Sequence, residues 1–302
     1  MTYQGCVWFS MIWIGPSGNS DSFYEQGYKS SVQMPGWLRN MGLNAYEYSC
    51  SKGVKIREET AWALGKEAEK NGIMLSIHAP YYINMASRDE KIRNRSVSYI
   101  LETLEAAKWM GAKRVVVHTG SCSGMDRKEA FMTAESVLVY TLKMADELGL
   151  SGIHICPETL GKINQLGTLS EILHMCLLDE RLIPTIDFAH LHARSLGKMD
   201  SLEAFENVIR TIENYLGSER MKNIHIHFSR IEFGEGGEKR HRTMDETEYG
   251  PEFKFLAEAV CKFDMSPVII CESRGVMAED AVKMLNIYKE IAGGGGNEGF
   301  DN

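Results

Sequence analysis

Six short apolar runs in this sequence end in a residue able to bind a metal or move a proton. His78 closes the run 73–78 within HAPYYIN, His118 closes 113–118 within VVVHTG, and Glu158 follows 152–157 within ICPET. Asp187 closes 182–187 within TIDFAH, with His190 three residues on; His227 stands near the end of 223–228, and Glu272 follows 267–271. One such residue is ordinary. A strand-end histidine usually hydrogen-bonds within a core or rim, and a lone glutamate can sit at the start of the next helix. Six in equivalent places differ, because three carboxylates and several imidazoles gathered together are costly to bury without cations. Imidazole nitrogens and carboxylate oxygens suit Zn2+ or Mn2+, and one carboxylate can bridge two ions, so no thiol is needed.

The other histidines carry weaker signals. His225 and His227 share a strand face, since side chains alternate with period two. His227 is nearer the rim and is the better ligand, and His225 is expected one layer down. His154, four residues before Glu158, is expected on the same interior face, and His174 in SEILHMCLL reads as structural. His192 is left unassigned. His241 sits in the polar stretch GEGGEKRHRTM after the seventh strand, where a rim-facing role is open. GSCSG at 120–124 lies between a strand and a helix, with Cys122 where a nucleophile elbow would place its nucleophile. That reading leaves Glu158, Asp187 and Glu272 unexplained, and a plain turn is the simpler account. The glycine spacings match neither a dinucleotide fingerprint nor a P-loop.

The elements that must carry these residues form a repeating pattern. Strands are predicted at 7–14, 43–48, 73–78, 113–118, 152–157, 182–187, 223–228 and 267–271. The clearest helices are predicted at 57–71, 89–110, 127–148, 201–216, 251–263 and 278–291, with Gly72, Gly111, Gly149 and Gly217 just past helix ends. Eight strand–helix units without a compositional break predict a single (β/α)8 TIM barrel, whose catalytic groups stand at the C-terminal ends of the strands. A doubly wound open sheet is the structural rival. The barrel is placed at 1–292, with the Gly-rich stretch 293–302 as a flexible tail.

Length and composition agree with this. A chain of 302 residues with 44 % hydrophobic residues buries a full core and is not a disordered polymer. Its net charge of −8 argues against holding nucleic acid by bulk charge alone, though not against metal ions supplying the positive charge. Seven scattered cysteines, without any C-x-x-C or signal peptide, read as reduced thiols in a cytoplasmic protein. The apolar run from Val7 to Gly15 lacks a basic flank and is too short to cross a bilayer, so no membrane association is expected, and no obligate protein partner is evident.

These strand-end motifs resemble the endonuclease IV family of apurinic/apyrimidinic endonucleases, within the xylose isomerase-like TIM barrels. The resemblance runs over roughly residues 5 to 290. HAPYYIN is similar to the family's His-Ala-x-Tyr-x-x-Asn segment. It implies His78 as a zinc ligand and Tyr81 and Asn84 as substrate-facing positions, Tyr81 for insertion into damaged DNA. VVVHTG stands at the His-Pro-Gly turn (His118) and ICPET at the Glu-Asn-Thr segment, which makes Glu158 the bridging carboxylate. TIDFAH matches Asp-x-x-His (Asp187, His190), the strand-7 histidine maps to His227, and CES gives Glu272. The family's Asp-Arg-His appears here as Lys239-Arg240-His241, and a protonated lysine does not ligate a metal. Its His-Leu-Asn-Asp is altered to His227-Phe228-Ser229-Arg230, and the loop SCSKGVKIRE after strand 2 is short.

The resemblance implies a metal-dependent phosphodiesterase that hydrolyses DNA 5′ to abasic sites. Two zinc ions bridged by Glu158 would generate hydroxide for attack on phosphorus, and His190 and His241 would hold a weaker third ion; Mn2+ is the alternative metal. DNA with abasic sites is then the partner. The competing expectation is a single-metal sugar isomerase or epimerase, for which Glu158, Asp187, His227 and Glu272 suffice. His78, His118 and His241 separate the two, since the isomerase chemistry does not need them as ligands.

Overall fold

The computed structural model describes residues 12–294. Its strands are β1 (Trp13–Pro16), β2 (Ala45–Ser49), β3 (Met74–His78), β4 (Arg114–Val117), β5 (His154–Pro157), β6 (Thr185–Asp187), β7 (His225–Phe228), β8 (Arg230–Gly234), β9 (Gly237–Arg242) and β10 (Val268–Cys271). All but β8 and β9 run parallel, in the orders β2-β3-β4-β5 and β1-β10-β7-β6.

Two seams close these sheets into one barrel. At the first, Gly18 N donates to Glu47 O (2.8 Å) and Asn44 N to Ile14 O (3.2 Å). At the second, Ile183 N donates to Ile155 O (3.1 Å) and Thr159 N to Thr185 O (3.0 Å). The first seam needs Gly15, where a Cβ would stand 1.7 Å from Ala45 O. Backbone approach of that kind is what an absent side chain permits.

Strand alternation sorts the residues into two environments. Ile14, Tyr46, Ile77, Val115, Ile155, Ile186, Ile226 and Ile269 join the main core between barrel and helices. Each such buried side chain contributes about 1.5–3 kcal/mol of transfer free energy. The opposite parity carries Ala45, Val268 and Ile270, a small separate apolar cluster, together with the buried polar side chains Glu47, Ser76, His225 and His227.

The helices follow from local chemistry. Glu58–Asn71 ends at Gly72 and Glu90–Met110 at Gly111, both left-handed (φ +66° and +73°), a conformation that costs glycine nothing. Asp89 and Asp126 cap the helices Glu90–Met110 and Arg127–Glu147 by accepting from Lys91 N (2.8 Å) and Lys128 N (2.9 Å). Thr168 and Glu171 form a reciprocal capping box on Leu169–Cys176.

Three expectations change. The polar stretch containing His241 is not a loop but strand β9 of an antiparallel hairpin, β8–β9, inserted between β7 and β10. The first strand is seen as Trp13–Pro16; the expected residues before Ile12 lie outside the described ones. The last helix runs Met277–Gly294, two residues into the stretch expected as tail, and the rest of that stretch also lies outside the described residues. Among the described residues, no helix is long and apolar enough to cross a membrane.

Candidate metal centre

Parallel strands put all their C-terminal ends on one rim, and the six strand-end residues meet there. His78 and Asp187 are the last residues of β3 and β6, and His227 is the penultimate one of β7. His118, Glu158 and Glu272 directly follow β4, β5 and β10. His190 arrives on the helix Phe188–Arg194, whose start is capped by Asp187 accepting from His190 N at 2.8 Å.

Glu158, 1 % exposed, is the centre of the arrangement. Its Oε2 faces His78 Nε2 at 3.3 Å and His118 Nε2 at 3.1 Å. Its Oε1 faces His227 Nδ1 and His190 Nδ1, each at 3.3 Å. Each oxygen of one carboxylate thus addresses a different pair of imidazoles. His78, His118 and Glu158 offer donor atoms within 4.8 Å of one another; so do Glu158, Asp187, His227 and Glu272, and so do Asp187, His190 and His241.

The protein also anchors the rings, which fixes their orientation and, for His78, turns the other nitrogen toward Glu158. His78 Nδ1 bonds to Ala79 O (2.7 Å), His190 Nδ1 to Thr159 O (2.9 Å) and His241 Nδ1 to Ser229 Oγ (2.8 Å). His227 Nε2 lies 3.1 Å from Glu47 Oε1, an ion-pair distance without hydrogen-bond alignment.

The electrostatics are those of a cation site. Burial opposes protonation of His78, His190 and His227, but the carboxylates outweigh it: Glu158 foremost brings His78 up to about 9. Asp187 holds His190, and Glu272 holds His227, well above the ordinary imidazole range. Burial would raise Glu47 and Glu158, yet the histidines, His227 first, keep both well below the usual carboxylate range. Asp187 moves the other way, raised by burial and by the neighbouring charge of Glu158. Its Oδ2 is buried without a hydrogen bond. An under-satisfied buried carboxylate beside a shared one and inward-turned imidazoles fits divalent ions bound by nitrogen and oxygen.

The centre opens into a pocket of about 340 Å3, whose wall includes Ser17, Tyr81, Lys162, Gln165 and Glu238. Tyr81 is 59 % exposed there. Tyr82 turns aside to pack edge-on against Tyr99, ring centroids 4.9 Å apart. Asn84 is committed within the protein: its Oδ1 accepts from Ser121 N (3.1 Å) and its Nδ2 donates to Ser123 Oγ (3.0 Å). Its amide therefore ties the loop after β3 to the loop after β4. A separate hollow of about 480 Å3, lined by Trp62, Met74 and Trp109 among others, lies at the opposite end of β3, away from these side chains.

Of the remaining histidines, His225 is fully buried against Glu47 (Nε2–Oε2 3.0 Å), and burial lowers it to about 4. His154 is half-buried against Arg181 O, His174 is helical, and His192 packs edge-on against Phe233. Two acidic residues escape the sequence reading. Glu47, 0 % exposed on β2, accepts from Ser76 Oγ (2.8 Å) and faces both strand-7 histidines. Glu238, on β9, lies 3.5 Å from His190 Nε2.

The pattern that describes the family "Xylose isomerase-like TIM barrel" matches residues 35–288. An uncharacterized protein of Methanocaldococcus jannaschii is 34 % identical over 255 residues, 84 % of this chain and 90 % of that protein. A probable endonuclease 4 of Aquifex aeolicus is 29 % identical over 215 residues, covering 68 % and 72 %. Among solved structures, endonuclease IV from Thermus thermophilus superposes with a TM-score of 0.65 at 18 % identity, over 89 % of this chain and 96 % of that one. D-psicose 3-epimerase from Clostridium cellulolyticum superposes with 0.63 at 15 %, over 92 % and 99 %. At those identities the two structures share the fold with this chain.

Proposed function

The chain belongs to the xylose isomerase-like TIM barrel family, and from that premise we propose that it is a metal-dependent phosphodiesterase that cuts DNA 5′ to abasic sites. The observation that carries this reading is the division of Glu158. Its Oε2 faces His78 and His118, and its Oε1 faces the side of His227 and His190. A carboxylate so placed serves two ions, and His78 and His118 have no use in a single-ion site.

In this reading His78, His118 and Glu158 hold one ion, and Glu158, Asp187, His227 and Glu272 the other. Bound divalent ions supply Lewis acidity toward a phosphate oxygen, acidify water toward neutrality, and offset the repulsion between an acidic chain and a phosphodiester. The chain's own residues do the rest. Glu47 orients His227 from behind, Thr159 O holds His190, and Ala79 O holds His78. Tyr81 presents an exposed ring at the pocket mouth, where it can fill the place of a missing base; an abasic nucleotide is cheap to extrude because nothing must unstack. The probable endonuclease 4 relative supports this reading.

The test is incision of a duplex carrying one abasic-site analogue by the zinc-loaded full chain, beside an undamaged duplex. Cleavage 5′ to the lesion, lost in His78→Ala, is expected. The second reading, a single-ion sugar epimerase, draws on Glu158, Asp187, His227 and Glu272 as a self-sufficient set and on the epimerase-like fold. Absence of incision, together with solvent deuterium entering a ketohexose, would replace the first reading by the second.

A further inference from the structure

Between β5 and the helix Leu169–Cys176 the chain runs through 158–168 without a helix or a strand, and two arginines give that loop its shape. Arg194 lies one turn beyond His190 on the helix Phe188–Arg194. Its Nη1 donates to Leu160 O (2.8 Å) and Lys162 O (2.7 Å), and its Nη2 to Ile163 O and Gln165 O (3.0 Å each). Arg127 adds bonds to Ile163 O (3.1 Å) and Gln165 O (2.9 Å) while its Nε and Nη2 pair with Glu171 at 2.6 and 2.7 Å. A planar guanidinium has five donors in a fixed fork and can gather several carbonyls in this way, whereas an ammonium offers three donors from a point.

The loop is tied down on both flanks. Leu166 N donates to Gly120 O (3.0 Å), and Thr119 Oγ1 to Leu166 O (2.9 Å). On the other side Glu238 N donates to Gly161 O (3.2 Å) and Ile163 N to Gly236 O (3.1 Å), an approach that leaves no room for a Cβ on Gly237, which would stand 2.1 Å from Gly161 O.

All this backbone fixation serves a loop that presents Lys162 to the pocket. Its N–H donates to Gln165 Oε1 (3.3 Å) and its carbonyl is held by Arg194, but its exposed ammonium has no partner among the described residues. Lys162 is also the single lysine or arginine in the described pocket wall, which carries Glu158, Glu238 and Glu272. The nearby Lys239 is turned away. The hairpin register moves from Glu232↔Arg240 to Phe233↔Glu238, so Lys239 is the extra residue of a bulge, and its side chain lies over Gly234, where a Cβ would stand 2.7 Å from its Cε.

We propose that Lys162 takes a non-reacting phosphate oxygen of the substrate strand, and that Arg194, through the carbonyls it holds, is the positioning residue that keeps Lys162 at the pocket mouth. The inference rests on the phosphodiesterase reading and adds to it a contact outside the metal centre. A loop already ordered loses little freedom when the anion arrives, so the contact contributes to binding rather than to the chemical step.

The experiment uses the zinc-loaded full chain and a duplex with one abasic-site analogue. It compares the wild type with Lys162→Met, Lys162→Arg and Arg194→Lys, each checked for folding by circular dichroism and for zinc by elemental mass spectrometry. Lys162→Met is expected to raise KM for incision roughly tenfold with kcat unchanged, the mark of a lost charge-assisted bond made equally in ground and transition states. The slope of log Kd for the duplex against log salt concentration should fall by about 1, as for one lost phosphate contact. Lys162→Arg should restore both. Arg194→Lys, which keeps the charge but not the fork, should raise KM with zinc content unchanged. An unaltered KM and salt slope in Lys162→Met overturn the contact, and an unaltered KM or a loss of zinc in Arg194→Lys overturns the positioning role. A wild type that neither binds nor cuts the duplex removes the phosphodiesterase reading itself, and the inference with it.

Discussion

Six of the centre's side chains stand at the ends of barrel strands held by parallel neighbours on either side, whereas His241 and Glu238 stand on a two-stranded hairpin clipped to one loop. In the barrel wall, register leaves each side chain one direction, into the interior or toward the helices. In the hairpin, one extra residue moves the inward position from Lys239 to Glu238. The wall therefore places its rim side chains by chain position alone, and the hairpin places its own by a local departure from alternation. The two regions should respond to different substitutions.

The largest expected effect falls on the wall. Glu47 makes no approach to the pocket, yet it backs His227 from a fully buried place. Glu47→Gln is expected to lower zinc affinity of the Glu158-centred pair roughly 10–100-fold, the usual consequence of losing a partner behind a ligating imidazole. Competition against a chelator of known affinity measures it. An unchanged affinity would show that His227 needs no support from Glu47.

A smaller effect separates the regions. Gly161→Ala drives a methyl against Glu238 Cβ and His190 Cδ2 (2.6 and 3.0 Å). Overpacking of that kind costs about 1–3 kcal/mol, and it should loosen the hairpin while zinc binding at the proposed Glu158-centred pair remains. Loss of all zinc in a folded variant would mean that the hairpin and the wall are one cooperative unit.

The smallest effect concerns Asn84. With both ends of its amide bonded to the loop after β4, Asn84→Ala should destabilise the fold by about 1–2 kcal/mol. Denaturant titration would register it, and zinc content should not change. A variant of unaltered stability that fails to bind substrate would restore Asn84 as a substrate contact.

The same contrast explains what is legible in the sequence. His78, His118, Glu158, Asp187, His227 and Glu272 can be read because each follows an apolar run whose end must reach the catalytic rim of a parallel barrel. Glu47 escapes such a reading because it lies within AYEYS, between two tyrosines, rather than at the strand's end. Its signal is parity: it shares a face with Ala45, and that face is the barrel interior. The hairpin reads as a loop because GEGGEKRHR has no alternation of apolar and polar residues. Its stability comes from the backbone clip to the loop after β5 and from buried Arg230, which bonds Met244 O (3.1 Å) and Glu252. The turn Glu235-Gly236 between glycines is the available sign. No sequence pattern announces the bulge at Lys239, because it is set by a close approach between distant segments.

The most direct measurement is anomalous diffraction at the zinc edge from crystals of the zinc-loaded chain. The two-ion account predicts a pair of peaks on opposite sides of the Glu158 carboxylate, one beside His78 and His118, the other among Asp187, His227 and Glu272. A lone peak at the second position, with His78 and His118 free of metal at saturating zinc, would contradict it.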